Sequence, residues 1–436
     1  MKRRTHLQRI HLTAGILAVL CAVALLLVTQ VNAWQSQDSL WSGNVAISDP
    51  QAIPQNPDVA VDDAGRAYAV WYDAQAGAGR GIYVASRPAG GAWTPPIEVP
   101  GSDAGNASWP TIAAAAPGAV CVAWARGLPE TRADILFAWS MDGGITWEGP
   151  VQINVDSQDI AGQPDLTVDA HANVHVVWSD LASFGDRHSR DIKWSMRFAG
   201  LTTWTGPAVV HPDVEVITEQ ARPAITADDA GNVYVIWEDA RHGPGDPQAI
   251  YAARLPAGTM MWEPGRRVDH RPGATNARPD IAAAPDGTVH AVWDAGTAGE
   301  VYSAMLRPGA ETWGSPTRIN GVWQVLSGRP SVLSGSAPRI AVDRRGIAYA
   351  LWQDSRNGET DIYAAVRWPG GMHWGRNRRV NDDEGPAAQE APAIAGGEAG
   401  RAVAVWIDQR QNSSGTITAA ELQLTIHTVR LSFLVR

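Results

Sequence analysis

In three places an acidic and a basic residue follow a tryptophan at the same spacing. Asp stands two residues and Arg four residues after the Trp, which gives the pairs Asp239–Arg241, Asp354–Arg356 and Asp408–Arg410. Arg222 and Arg278 each stand directly before a proline. Such side chains can hold a sugar or a peptide by charge-assisted hydrogen bonds, and Arg222 with Arg278 could clamp a carboxylate in a bidentate manner. The alternative is that each Asp–Arg pair fixes its own loop and recurs because the surrounding unit recurs.

The units that carry these side chains form an internal repeat. Each begins with a proline, alternates apolar and polar residues, turns at a glycine and ends a second alternating run in tryptophan, as in Pro57–Trp71 and Pro223–Trp237. Alternation with a period of two is typical of half-buried strands. The Trp that ends the second run occurs seven times, as Trp71, Trp124, Trp178, Trp237, Trp293, Trp352 and Trp406.

A second tryptophan marks a later strand and gives an independent count. Six units have it, followed after five residues by Ile or Val, as Trp93, Trp147, Trp204, Trp262, Trp313 and Trp374. The seventh unit lacks it, and the missing copy, Trp41–Ile47, precedes the first unit. The sequence therefore predicts an all-β, seven-bladed β-propeller of four-stranded blades over residues 40–420, in which the N-terminal strand closes the last blade. Residues 421–436 form a β-like tail with no assigned role.

A propeller places the candidate side chains at one mouth of its channel. The loops that join the second to the third strand, and each blade to the next, lie on that face, where propeller ligands bind. Arg222, Arg278 and the three Asp–Arg pairs all fall in or beside these loops. No histidine pair has metal spacing. The acidic run Asn381–Glu384 has oxygen ligands that calcium would accept, but it lacks a defined spacing and is typical of a solvated loop, so no metal and no cofactor is predicted.

The N-terminal segment predicts export. Residues 1–33 combine Lys2, Arg3, Arg4 and Arg9 with an apolar run over 12–28 and a small-residue end at Ala33. This is the pattern of a signal peptide or, if uncleaved, of an N-terminal membrane anchor, which would be the one membrane contact. Without this leader the chain has 31 basic and 45 acidic residues, a net charge of −14, which excludes a nucleic-acid-binding role. Cys121 is then the single thiol, in a strand-like run that favours burial.

One turn carries a specific resemblance. Ser140, Asp142, Gly144, Thr146 and Trp147 match S-x-D-x-G-x-T-W in full, and the other units keep mainly the Gly and the Trp. The chain therefore resembles the Asp-box (BNR repeat) superfamily of sialidase-like propellers over residues 40–420. In that superfamily the box is a structural turn on the face opposite the active site, so it implies a fold and no chemistry.

The catalytic set of sialidases does not transfer with the fold. The resemblance would imply three arginines for the substrate carboxylate, an Asp acid/base and a Tyr–Glu nucleophile pair, an exception to the two-carboxylate scheme. The motif that carries the first arginine is absent, and seven of the eight tyrosines occupy repeating strand positions that indicate packing. Tyr72 is the exception, and no Glu partner can be assigned to it, so the catalytic residues stay unknown.

Three functions remain open at the level of sequence. The leading hypothesis is an extracytoplasmic propeller that binds a glycan or another cell-surface ligand. The second is an exo-glycosidase of sialidase type, and the third is a scaffold that uses its rim for protein contacts. The sequence specifies neither the ligand nor an oligomeric state.

Overall fold

The computed structural model describes residues 41–74, 81–128, 132–154, 160–184, 187–211, 219–241, 248–270, 275–296, 299–321, 335–398 and 400–424. Gly43–Arg436 form one compact unit and Met1–Ser42 another, and only Trp41 and Ser42 of the latter are described. The leader predicted over residues 1–33 and most of the tail after 424 lie outside the described residues. No helix in the described part of the chain is long and apolar enough to cross a membrane.

The Gly43–Arg436 unit consists of seven four-stranded antiparallel blades, and the predicted all-β propeller is confirmed. The first strand of the chain, β1, is Val45–Ala46. From the inner strand outward, the first four blades comprise β2 (Pro54–Val61), β3 (Ala67–Asp73), β4 (Gly81–Arg87) and β5 (Ile97–Glu98); β6 (Ala107–Ala114), β7 (Val120–Leu128), β8 (Arg132–Ser140) and β9 (Glu148–Gln152); β10 (Ile160–Val168), β11 (Val174–Phe184), β12 (Arg187–Arg197) and β13 (Ala208–Val209); β14 (Gln220–Ala227), β15 (Val233–Asp239), β16 (Ala249–Leu255) and β17 (Arg266–Arg267).

The last three blades repeat this order. They comprise β18 (Asn276–Ala283), β19 (Val289–Ala295), β20 (Glu300–Leu306) and β21 (Thr317–Arg318); β22 (Ser336–Val342), β23 (Ala348–Asp354), β24 (Asp361–Arg367) and β25 (Arg378–Arg379); β26 (Gln389–Gly396), β27 (Arg401–Asp408), β28 (Thr416–Gln423) and β1. Blades 2 and 3 are joined into one sheet by a single parallel pairing between Ile160 and Ala133. We call the four strand positions of a blade A to D, from the inside outward.

The N-terminal strand closes the ring, as the sequence predicts. Val45 pairs with Ala419 and Ala46 with Thr418, which makes β1 the D strand of blade 7. The N–H of Ile47 donates to the carbonyl of Ile417 over 2.7 Å. Since β28 runs to Gln423, the first three residues of the predicted tail belong to blade 7.

The core lies between neighbouring blades, and the repeated strand B tryptophans form its centre. All seven are at most 1% exposed, from Trp71 to Trp406. At about 25 cal/mol per Å² over about 150–250 Å², each contributes about 4–6 kcal/mol of transfer free energy. Cys121 is likewise buried, and burial raises the pKa of its thiol to about 12, so it packs as an apolar residue.

The strand B tyrosines lock the turns between strands A and B. The hydroxyls of Tyr68, Tyr234 and Tyr349 donate to Asp62, Asp228 and Asp343 over 2.9, 3.0 and 2.9 Å. The carboxylate of Asp62 also accepts from the N–H of Gly118, in the next blade, over 2.9 Å. These tyrosines therefore serve the packing that their repeated position indicates.

Candidate functional site

A strained residue recurs at the mouth of the channel in every blade. The residue before each strand A proline has a positive φ of 46° to 52°, although none is glycine: Asn56, Trp109, Gln163, Arg222, Arg278, Ala337 and Ala391. Register shifts at each of these positions show a β-bulge. A bulge turns one side chain and one N–H out of the ladder, and its left-handed residue is unfavourable without compensating contacts.

Compensation comes from the preceding blade. The bulge N–H of Arg222 donates to Gln163 Oε1 over 3.1 Å, and that of Arg278 donates to Glu238 Oε1 over 2.7 Å. Ala337 donates in the same way to Asp294 over 3.2 Å, and Ala391 donates to Gln353 over 3.2 Å. Three of these acceptors directly follow the repeated Trp of their blade: Glu238, Asp294 and Gln353. The side chain at this repeated position therefore links its blade to the next by a hydrogen bond.

The carboxylates of Glu238 and Asp294 also bind the side chains of Arg222 and Arg278. Nη1 of Arg222 lies 2.9 Å from both oxygens of Glu238, and Nε of Arg278 lies 2.6 Å from Asp294. The arginine side chains are 47% and 44% exposed, whereas Glu238 and Asp294 are 0% and 9% exposed. Burial raises the pKa of Asp294, and the guanidinium of Arg278 partly offsets that rise. Each guanidinium is thus held by a buried carboxylate, and its remaining N–H donors can bind a ligand at the channel mouth.

An aromatic ring packs on the backbone next to Gln163. Trp109, the bulge residue of blade 2, packs so closely on Gly162 of blade 3 that a Cβ there would lie 3.0 Å from the ring. Gly162 is followed by Gln163, which accepts from Arg222. Contacts therefore run from blade 3 to blade 5 through Gln163, Arg222, Glu238, Arg278 and Asp294. Trp109 of blade 2 packs on the residue before Gln163. We call these six residues the mouth cluster.

Sequence reasoning finds Arg222 and Arg278 but misses the other four members. Glu238 and Asp294 could have been found as polar residues directly after the repeated Trp, and Trp109 and Gln163 as further residues before the repeated prolines. The sequence does not reveal that the bulge N–H groups of Arg222 and Arg278 donate to side chains of the preceding blade.

In each of the three Asp–Arg pairs, the carboxylate is bound by groups of its own loop. Asp239, Asp354 and Asp408 are at most 1% exposed, and each accepts from the N–H of its own Arg and from the indole Nε1 of its own Trp. Arg241 and Arg356 lie 3.7 and 4.4 Å from the ring centroids of Tyr251 and Tyr363. Because the acceptors are engaged locally, these contacts favour the loop-fixing interpretation.

Arg410 differs from the other two arginines because it also reaches the closing strand. Its Nη1 lies 2.6 Å from Asp382, and its Nη2 lies 2.8 Å from the side-chain oxygen of Asn44. Asp382 accepts in turn from the N–H of Asn44 over 3.0 Å. The acidic run over 382–384 therefore helps to fasten the N-terminal strand to blade 7.

Inside the channel, three strand A carboxylates join alternate blades to their neighbours. Asp58, Asp165 and Asp280 accept from the N–H groups of Ile112, Ile225 and Ile340 over 3.0, 2.8 and 2.7 Å. Burial, followed by the charge of Asp58, raises the pKa of Asp165 to about 7. Among the described residues, no group of His, Cys, Asp or Glu could hold a metal ion.

The Asp-box turn is a network of short contacts on the opposite face. Asp142 accepts from the N–H groups of Ile145 and Thr146 over 3.1 and 2.9 Å and from the Thr146 hydroxyl over 2.6 Å. These bonds, the Thr146 hydroxyl first, lower the pKa of Asp142 to about 2. The Gly144 N–H donates to the Ser140 hydroxyl, and Trp147 Nε1 donates to the Gly144 carbonyl.

The strand C residue Tyr302 has a glutamate neighbour, but radially outside the channel mouth. The Tyr302 hydroxyl lies 3.1 Å from Glu300, which also accepts from Arg318 over 2.9 Å. Tyr302 is only 8% exposed and stacks on Trp293, so these three residues pack the outer part of the blade.

Tyr72 lies at the channel mouth. It pairs with Gln55 just as Glu238 pairs with Ala221, and it therefore occupies the position that follows the repeated Trp.

Comparison with known proteins rests on structure. No protein-family model matches the chain, and no curated protein matches it. A microbial sialidase, Hadza Hz136, is similar at 16% identity with a TM-score of 0.50, covering 82% of this chain and 76% of that chain. The fold is sialidase-like.

Two further solved structures share the fold. An α-L-arabinofuranosidase of Fusarium graminearum, in complex with arabinobiose, has 14% identity and a TM-score of 0.53, covering 77% of this chain and 100% of its own. A PL25 polysaccharide lyase, an ulvan lyase, has 12% identity and a TM-score of 0.57, covering 86% and 95%. At these identities the likeness shows the propeller alone.

Proposed function

We propose that this protein is an extracytoplasmic propeller that binds an acidic glycan at the mouth cluster. The observation that carries the proposal is the pair Arg222 and Arg278, whose exposed guanidiniums are held in place by the buried carboxylates of Glu238 and Asp294. Fixed guanidiniums lose little entropy when they bind a carboxylate, so binding energy is not spent on ordering them.

Trp109 supplies the second element of a sugar site. Carbohydrates present C–H groups on one ring face and hydroxyls at the edges, and an aromatic ring beside polar donors suits both. Gln163, between Trp109 and Arg222, adds an amide that donates and accepts. The leader over residues 1–33 supports an extracytoplasmic location, where surface and extracellular glycans occur.

The likeness to glycan-active propellers supports the same class of ligand. The Fusarium enzyme was solved with arabinobiose, and the PL25 lyase is named for an action on polysaccharide. For this chain we propose binding alone, since Glu238 and Asp294, the carboxylates of the mouth cluster, are both committed to arginines and bulge N–H groups.

The test is a binding panel of neutral, uronic-acid-containing and sialylated oligosaccharides, measured by calorimetry on the mature chain. We expect acidic members to bind, and Arg222→Gln and Arg278→Gln each to weaken binding about 10- to 100-fold, since each lost charged hydrogen bond is worth about 1.5–3 kcal/mol. The double substitution should weaken binding more than either one. The control is Arg266→Gln, because Arg266 lies in the outer strand of blade 4 and is 47% exposed, as Arg222 is. Binding that survives the double substitution, or no binding of any acidic glycan, would contradict the proposal.

An exo-glycosidase of sialidase type is the second candidate, and the place of Tyr72 at the mouth is what favours it. A tyrosine nucleophile needs a neighbouring base. Release of sialic acid from a sialoside reporter, abolished in Tyr72→Phe, would replace the binding role with a catalytic one. Pull-down of a protein partner without glycan binding or turnover would instead favour the scaffold.

A further inference from the structure

A cavity of 340 Å³ lies between blades 5 and 6, on the face opposite the mouth cluster. Its walls come from strand C and the following turn of blade 5 and from the equivalent turn of blade 6. The polar lining includes Ser303, Arg307, Thr312 and Arg367, and the apolar lining includes Met305 and Met372. We call it the inter-blade cavity.

Arg367, the last residue of β24, is the unusual member of this lining. It is only 7% exposed, and its Nε donates to the carbonyl of Gly371 over 2.9 Å. Within the described part of the chain, no carboxylate forms an ion pair with its guanidinium. A buried charge without a partner is strongly unfavourable, so arginine is rarely buried unless it is paired.

Two other blades carry arginine at the same position, and both have a partner there. Arg87, Arg197 and Arg367 each pair with the first residue of strand B in their blade. Arg87 makes the same 2.9 Å Nε bond, to Gly91, and forms an ion pair with Glu421 of the preceding blade. Arg197 lies 4.5 Å from the ring of Trp139, also of the preceding blade.

The partner position in blade 5 is occupied by methionine. Glu421, Trp139 and Met305 pair in register with Val403, Cys121 and His290, each three residues before the repeated Trp of its blade. Met305 therefore stands where blade 7 supplies a carboxylate and blade 2 supplies an aromatic face. The inter-blade cavity lies beside this substitution, so no carboxylate among the described residues faces Arg367 where there is room for a ligand.

The surroundings of Arg367 add to its positive charge. Burial, followed by the nearby charge of Arg307, lowers the pKa of Arg367. Burial, followed by the charge of Arg367, lowers the pKa of His290 to about 4, although Asp286 acts in the opposite direction. Ser303 accepts from Trp374 Nε1 over 2.8 Å, which leaves its own O–H to donate.

We propose that the inter-blade cavity binds an oxyanion, a sulfate, phosphate or carboxylate group, between Arg367 and Arg307. Charge-assisted hydrogen bonds from two guanidiniums match the geometry of such a group. The volume is within the range of about 300–1,000 Å³ for small-molecule sites, which leaves space for an organic group beside the anion. Met305 and Met372 line that space. The site is separate from the mouth cluster, and the proposal does not depend on glycan binding there.

The primary experiment titrates the full mature chain with sodium sulfate at constant ionic strength, with sodium chloride as the reference. We expect sulfate to bind with one-to-one stoichiometry and to raise the melting temperature more than chloride does. The same titration with a sulfated monosaccharide and its neutral parent separates the sources of the anion. Tighter binding of the sulfated sugar than of sulfate identifies an organic oxyanion, whereas equal binding identifies the free ion. No difference between sulfate and chloride would overturn the proposal.

Met305→Glu is the decisive variant because it recreates the Glu421–Arg87 pair inside blades 5 and 6. We expect at least about a tenfold loss of sulfate affinity, with a melting temperature equal to or above that of the unaltered protein. The matched control is Arg87→Gln, in which the equivalent arginine is removed from blade 1 and sulfate affinity should be unchanged. Sulfate binding that persists in a folded Met305→Glu protein, or that is lost in Arg87→Gln, would place the anion elsewhere.

Discussion

The residues that distinguish one blade of this propeller from another lie directly after the repeated Trp and directly before the repeated Pro. The first position gives Glu238 and Asp294, and the second gives Arg222 and Arg278. Contacts within blades 4 and 5 and one hydrogen bond between these blades connect the four residues. The Asp–Arg pairs two residues further on have a different role, since their carboxylates are buried and engaged within their own loops.

Replacement of Asp354 separates a structural role from a ligand-binding one. Asp354→Ala leaves the buried Trp352 indole N–H and the 15%-exposed Arg356 without their acceptor. We expect a loss of about 3–5 kcal/mol in the free energy of unfolding, with unchanged glycan affinity in the folded protein. Urea denaturation and calorimetry measure the two. Asp63→Ala is the control, because its pair with Arg344 is about half exposed on both sides and should change stability by no more than about 1 kcal/mol. A stable Asp354→Ala protein that no longer binds glycan would assign this pair to the ligand.

The channel carboxylate Asp165 makes stability depend on pH. Its folded-state pKa, about 7, lies above the unfolded value of about 3.9, so its stabilising contribution is complete below pH 3.9 and declines until it is lost near pH 7. Asp165→Asn removes this titration. We therefore expect the stability of the variant relative to the unaltered protein to rise between pH 4 and 7 and to level off above pH 7.

Asp142→Asn is the control for this prediction because its pKa is shifted in the opposite direction. The value of about 2 confines its titration to pH values below about 4, so its stability difference should stay flat between pH 5 and 8. The measurement is the free energy of unfolding of both variants and of the unaltered protein across that pH range. Parallel curves for the two variants would show that Asp165 titrates as an ordinary carboxyl group.

At the scale of strands, the sequence predicts much of the fold because Trp and Gly recur where packing demands them. Trp71 and its six equivalents fix the blade count, and the absent seventh copy of the second Trp predicts the closing strand. The bulges could not be predicted, since a residue before proline normally prefers an extended conformation, whereas Arg222 has a φ of 49°. The mouth cluster could not be assembled either, because the contacts that link its blades join residues 40 or more positions apart, such as Arg278 and Glu238.

The closing strand gives a prediction at this scale. A chain that begins at Gln51 loses β1, the buried side chain of Ile47 and the hydrogen bonds of Ile417 to Ile47 and Ser48. With about 1.5–3 kcal/mol for the isoleucine and about 0.5–1.5 kcal/mol for each of the two hydrogen bonds, we expect the free energy of unfolding to fall by about 2.5–6 kcal/mol. We also expect a tendency to associate through the open edge. Calorimetry and light scattering compare it with a chain that begins at Gly43. Equal melting temperatures for the two chains would mean that another segment closes blade 7.

At the scale of the whole molecule, the two faces of the propeller differ in character. The mouth face presents the fixed arginines of blades 4 and 5 and, in blade 2, Trp109. On the opposite face, the turns between strands C and D carry exposed apolar side chains, among them Met141, Ile145, Met261 and Met372. The inter-blade cavity opens on that second face. Two chemically distinct sites on opposite faces would let one rigid ring hold two ligands at the same time.

Hydrogen–deuterium exchange of the chain without residues 1–33, with and without the acidic glycan that binds most tightly, tests the central claim most directly. We expect slower exchange over residues 219–222 and 276–278, where strands β14 and β18 begin at the mouth cluster, and unchanged exchange in the Asp-box turn over 140–147. Protection confined to residues 303–317 would assign the glycan to the inter-blade cavity. Exchange at the beginnings of β14 and β18 that is unaffected by a bound glycan would contradict the account.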